Sequence, residues 1–246
     1  MNTSISNKQI NKLAIPAIIA GISEPVLSLT DAAIVGHIAT NATESLAAVG
    51  IVSSFLSMLI WVLGQSRSAI SAIISQYLGA NKLDEVKQLP AQAIAIIVAL
   101  SILVCVITLP FSEPVFKFYN AKDLLLEFSV DYYNIRIIGL PFTLYTFAVF
   151  GIFRGLQNTY YPMIIAVIGT VVNIVLDFAL VYGISDFIPA LNLKGAAIAS
   201  AFSQLLMAGM ATVLLLKKTP ITLKFSLPFN KEIPKFLLMR NWTHHF

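Results

Sequence analysis

The sequence predicts an all-α, polytopic membrane protein with six transmembrane helices. Three observations lead there. Only 11% of the 246 residues are charged, while 57% are hydrophobic and the mean hydropathy is +0.82. A water-soluble domain carries about 25% charged residues, so this composition suits a chain whose main solvent is lipid. Apolar runs of about 20 residues, enough to cross ~30 Å of hydrocarbon at 1.5 Å per residue, recur along it. Lys and Arg gather in alternate breaks between those runs, as they do in multi-pass proteins.

The six spans are read as residues 13–36, 46–79, 89–111, 132–153, 162–183 and 195–217. The breaks between them are "HIATNATES", "GANKLDEVKQ", "FSEPVFKFYNAKD", "RGLQNTYYP" and "GISDFIPALNLK". The first span starts near Leu13 at full length, with no small-residue cleavage pattern after it, so it reads as a span and not a signal peptide. Pro16 inside it removes a backbone donor and is expected to kink it. The second run is longer than a bilayer needs, so it should tilt or project. The third contains Cys105 within "ILVCVITL", a packed apolar thiol; a single cysteine leaves no disulfide within the chain. The fourth carries a second internal proline, Pro141. The fifth and sixth carry the polar residues "VVNIVLD" and the small-residue stretch "GAAIAS".

Loop charge sets the orientation. One side collects Lys8, Lys12, Lys82, Lys87, Arg154, Lys217, Lys218, Lys224, Lys231 and Lys235. The other holds Lys117, Lys122 and Lys194, mixed with Glu44, Glu113, Asp123, Glu127 and Asp186. The basic side is expected in the cytoplasm, with both termini there and the chain in the plasma (inner) membrane. The net charge of +4 then reports topology and not a nucleic-acid partner.

Orientation turns sequence position into depth. Asp31 and Asp177 each lie roughly 9 Å below the outer ends of the first and fifth helices. Ser200 enters the same layer from the outer end of the sixth, and Arg136 from the fourth, one turn below Tyr132. Ionisable groups inside a membrane are costly and face a cavity, a partner or an ion path. Asn173 and Asp177 are spaced i, i+4 and share a face, as do Glu24 and Asp31 at i, i+7. Where those faces meet, a small polar pocket is expected that could exchange protons or ligate Na⁺ through Asp31, Asn173 and Asp177.

Each residue also has a plainer reading. Asp31 and Asp177 could pair with Arg136 simply to hold helices together, and Asn173 could be an interhelical hydrogen bond. Ser200 could serve close packing, Arg136 could snorkel to the outer interface, and Glu24 could belong to a kinked backbone beside Pro25. Arg67 has no evident partner. Enzyme readings find less: His37 lies at a helix end, His244 and His245 lie in the tail, and Gly-x-Gly-Asp, metal and dinucleotide motifs are missing from the sequence. No cofactor is expected beyond a coupling H⁺ or Na⁺.

At this point the residues match a known pattern. "KLAIPAIIAGISEPVLSLTDAAIVGHI" resembles the first helix of multidrug and toxic compound extrusion (MATE) transporters. "SQYLGANKLDEVKQ" is similar to the end of their second helix and the following loop. "YYNIRIIGLPFTLYTFAVFGIFRGLQNTYYP" resembles their fourth, and "VVNIVLDFALVYG" with "LKGAAIASAFSQ" their fifth and sixth. The Asn-x-x-x-Asp element and the RGLQNT turn resemble the DinF-like branch.

The resemblance implies H⁺- or Na⁺-driven antiport of small cationic, amphipathic compounds. It implies a cation site of Asp31, Asn173 and Asp177, with Tyr132 and Ser200 supplying a phenol and a hydroxyl. It also implies Glu24 at the substrate cavity and a hinge near Pro16. A related superfamily function, flipping lipid-linked precursors, predicts a cavity lined by several Arg and Lys; a third reading is a membrane fragment that binds a partner without transporting. Residues 1–217 are expected to form the N-terminal six-helix lobe, and 218–246 a cytoplasmic linker with the start of a second lobe. The tail "RNWTHHF" abandons the apolar pattern of a seventh helix. The expectation is therefore one lobe lacking its C-terminal counterpart through frameshift, early stop or truncation, or else a half-size carrier paired in a homodimer.

Overall fold

The first helix is set by its ends. Ser6 accepts from the Gln9 N–H while the Gln9 side chain returns to Ser6, a reciprocal cap that opens α1 (Asn7–Gly36). The computed structural model describes residues 6–86, 88–184, 187 and 189–221. Expectations placed on Lys87, Asp186, Lys224, Lys231, Lys235 and the tail fall outside those residues.

The chain continues as α2 (Ala42–Gly64), α3 (Ser66–Gly79), α4 (Leu89–Thr108), α5 (Ser112–Phe118), α6 (Asp123–Arg136), α7 (Leu140–Gly155), α8 (Tyr160–Val181) and α9 (Asn192–Lys218). Several join end to end, so that six apolar stretches are long enough to cross a membrane: Asn7–Gly36, Ala42–Gly79, Leu89–Phe118, Asp123–Gly155, Tyr160–Val181 and Asn192–Lys218. This is an all-helical, multi-pass membrane protein. Its surface agrees: Leu29, Trp61, Val62 and Phe118 are among many large apolar side chains left exposed, as lipid-facing residues would be.

Two expected boundaries are corrected. The fourth span starts at Asp123, more than two turns before Tyr132, and the third runs on through α5 to Phe118. The charges in "FSEPVFKFYNAKD" and "LEFSVD" read as loop, yet they decorate exposed faces of helices. Glu113 pairs with Lys117 at 2.6 Å, one turn apart, and Asp131 pairs with Lys194 of α9 at 2.9 Å.

The fourth span is the most interior of the six. It breaks at Ile137–Gly139 into a short 3₁₀ turn before Pro141, the second residue of α7. Pro141 has no N–H to offer the Ile137 carbonyl four residues back. That oxygen instead receives the Leu140 N–H and, from α4, the Cys105 thiol at 3.4 Å. The buried cysteine is thus a donor at a helix break as well as a packing residue.

Around this span α3 and α4 pack on α7, α2 on α6, and α9 on both α6 and α7; α8 lies along α9 and α1. Small residues permit the closest approaches. A Cβ on Gly195 would come 2.5 Å from the Leu180 carbonyl oxygen, which is why this end of α9, with Gly195, Ala196, Ala197 and Ala199 buried, can lie close on α8. We call the end where α1 begins proximal. The Thr159 hydroxyl, in the turn between α7 and α8, donates there to the Leu13 carbonyl at 2.8 Å. At the distal end the Tyr182 hydroxyl donates to the Ile34 carbonyl, also at 2.8 Å. Between these ties α1 is largely exposed.

Candidate functional site

Four spans deliver polar side chains to one buried point in the distal half. On α8 the interior stripe runs Ile165, Gly169, Asn173, Asp177, Val181, one residue per turn. The i, i+4 spacing therefore puts the carboxamide and the carboxylate on the buried face, and both are fully buried. Asp31 joins them from the last two turns of α1, Ser200 from over two turns into α9, and Tyr132 from the second half of α6. All three are buried.

Asn173 sits at the centre. Its carboxamide is oriented so that both ends are satisfied, an assignment made from the hydrogen-bond network. The NH₂ group then donates to Asp31 Oδ1 at 3.0 Å and to Asp177 Oδ2 at 3.1 Å, while its oxygen accepts the Ser200 backbone N–H at 3.1 Å. The Ser200 hydroxyl lies 3.4 Å from the same carboxamide and within reach of Asp31.

The Asp31 and Asp177 carboxyl groups are within hydrogen-bonding reach of each other. Two carboxylates have only acceptors, so that contact requires a shared proton or a cation between them. Asp177 Oδ1 is buried and has no hydrogen-bond partner among the described residues. The arrangement can therefore take up a positive charge without rebuilding the helices around it.

For Arg136 the sequence left two readings, reaching outward to the interface or pairing with Asp31 and Asp177. It lies with its guanidinium carbon 5.9 Å from the centroid of the Tyr132 ring, its Nε buried, and within electrostatic range of both carboxylates, with no ion pair to either among the described residues. The longer fourth span explains this, because Arg136 is deeper than a start at Tyr132 implied. Its i, i+4 spacing from Tyr132 was the sequence signal for the pairing. Tyr132 stands beside the cluster and, among the described residues, makes no hydrogen bond to either carboxylate.

Glu24 and Pro16 lie elsewhere. Glu24 is exposed on α1, two turns proximal to Asp31. Its neighbours Ser23 and Val26 line an apolar groove of about 230 Å³ between α1 and α8, with Ile19, Ile22, Val167 and Val171. Pro16 is half-buried in the first half of α1 and touches none of the cluster.

The MatE family model matches residues 16–179 of this chain, a stretch that holds Asp31, Tyr132, Asn173 and Asp177. The chain belongs to the MatE family. It is 28% identical over 200 residues to DNA damage-inducible protein F of Escherichia coli, covering 81% of this chain and 42% of that protein. It is 25% identical over 218 residues to a probable multidrug resistance protein NorM of Thermotoga maritima, covering 88% and 46%. A solved MATE structure in complex with MaD3S overlays with a TM-score of 0.83 at 25% identity, over 94% of this chain and 50% of that one. This MatE chain thus spans about half the length of the relatives it matches, which is consistent with one lobe of them.

Proposed function

We propose that the chain is the N-terminal lobe of a proton-coupled exporter of small amphipathic compounds. Asp31, Asn173 and Asp177 form its coupling site. One observation carries this reading: the buried Asp31 and Asp177 carboxyl groups, from α1 and α8, lie within hydrogen-bonding reach of each other with the Asn173 carboxamide against both. Two buried carboxyl groups facing each other suit a site that gains and loses a shared proton.

Relatives named for multidrug resistance support the efflux reading. Glu24, an exposed acidic side chain on α1, supports cationic cargo. The groove between α1 and α8 is shallow and apolar, so the substrate cavity is shared with a second lobe, supplied by a C-terminal half or by a second copy. Membership of a transporter family, with no bond-making motif in the sequence, supports transport and not catalysis. Lys8, Lys12, Lys82, Arg154, Lys217 and Lys218 lie at the proximal end, which supports an inner-membrane protein with that end in the cytoplasm.

In this cycle protonation of the carboxyl pair loosens the Asn173–Asp31 contact, freeing α1 to bend at Pro16 and release cargo at the distal side. The test is efflux of a fluorescent cation from proteoliposomes holding this chain with a family C-terminal lobe. An imposed proton gradient should drive efflux, and D31N or D177N should abolish it. Efflux driven by a Na⁺ gradient alone, or unchanged in both variants, would reject the proposal.

A further inference from the structure

Two arginines on adjoining helices lie within electrostatic range of each other in the proximal half, away from the carboxylate cluster. Arg67 lies in the first turn of α3, just past the break at Gln65, with its guanidinium carbon 4.8 Å from the centroid of the Phe147 ring on α7. Arg154 occupies the last turn of α7, two turns beyond Phe147. The two helices are pressed together by glycines. A Cβ on Gly151 would come 2.5 Å from the Arg67 carbonyl oxygen, and one on Gly155 would come 2.7 Å from Ile74 Cβ. Arg154, one turn from Gly151, is thereby held at a level next to Arg67.

Their charges are poorly balanced. Among the groups acting electrostatically on Arg154, Arg67 acts most strongly, and Glu24 on α1 follows. Both Nε atoms are buried with no hydrogen-bond partner, and no carboxylate among the described residues forms an ion pair with either side chain. Half-buried guanidinium groups with unmet donors, set beside a like charge, are unfavourable in a membrane protein. An oxyanion would relieve both problems. A guanidinium presents planar, paired N–H donors that match carboxylate and phosphate oxygens, and the Arg67 Nε has no partner among the described residues.

We propose that Arg67 and Arg154, with Phe147 as an apolar wall, form a binding site for a carboxylate or phosphate group at the proximal end of the lobe. The group comes either from a dissolved compound or from the headgroup of a lipid with net negative charge. Glu24 is the charge with which that anion competes. The site stands independently of the coupling role given to Asp31 and Asp177.

The test uses the full chain in nanodiscs, of phosphatidylcholine alone or mixed with phosphatidylglycerol. Thermal unfolding is followed while inorganic phosphate is titrated against chloride at equal ionic strength. At least one anion should raise the melting temperature. R67Q and R154Q should each weaken that response by roughly tenfold or more, whereas E24Q should strengthen it. A response to phosphate in pure phosphatidylcholine identifies a dissolved ligand; a response to phosphatidylglycerol alone identifies a headgroup. No response to either anion, or equal responses in wild type and R67Q, would overturn the site. R67Q is decisive should R154Q melt too early to compare.

Discussion

Asn173 on α8 donates to Asp31 on α1 at 3.0 Å, and its second amide hydrogen goes to Asp177 one turn along its own helix. A single carboxamide thus links the most exposed span to an interior one. Replacing it with Ala would leave two facing carboxyl groups with fewer donors. N173A is expected to lower stability by about 1–3 kcal/mol, the range for buried polar groups left unsatisfied. N173D, which adds a third acidic group, should cost more. Melting of the purified chain in detergent measures both, and an N173A protein as stable as wild type would contradict the network.

The coupling role makes a separate prediction about transport. D177N keeps the side chain's shape but removes its exchangeable proton. It should leave membrane insertion unchanged while abolishing gradient-driven efflux with the second lobe present. D31N should do the same. Insertion is read by protease protection and efflux by dye release, so failure of folding and failure of coupling are separable.

Cys105 predicts an unusual suppressor. Its thiol donates to the Ile137 carbonyl, which Pro141 cannot reach with an N–H of its own. C105A should therefore destabilise the chain, by roughly 0.5–1.5 kcal/mol for the lost hydrogen bond, plus the loss of packing. C105S should recover part of the hydrogen bond. P141A restores a backbone donor, so the double variant C105A/P141A should lose less than the two single changes summed, as a double-mutant cycle on melting data would show. Strict additivity would mean that the two donors do not serve the same oxygen.

The glycine contacts predict steric costs at two interfaces. G195A drives a methyl group into the Leu180 backbone, and G151A drives one into the Arg67 carbonyl. Neither obstacle is a flexible side-chain end that can swing away. Each change should destabilise by about 1–3 kcal/mol, the usual range for overpacking. G21A is the control, because a Cβ there meets nothing within 4 Å. It should be neutral or mildly stabilising, given alanine's higher helix propensity.

Much of this lobe was legible in the residues because a membrane imposes simple rules. Apolar run length determined six spans, and helical periodicity determined that Asn173 and Asp177 share a face. Counting residues from span ends put Asp31, Asp177 and Ser200 at one depth, which is where the structure brings them together. Counting misplaced the start of the fourth span, because Glu127 and Asp131 are as compatible with an exposed helix face as with a loop.

Contacts between helices were a different matter. Cys105 meets Ile137, Arg67 meets Phe147, and Asn173 turns its nitrogen toward Asp31; no spacing in the chain encodes these pairings. The sequence by itself determined the number of helices, their buried faces and the depth of their polar groups, since those depend on local geometry and on the lipid. Only the tertiary structure decided which faces meet, because helix rotation and crossing are settled jointly by glycine contacts and side-chain packing among residues far apart in the chain.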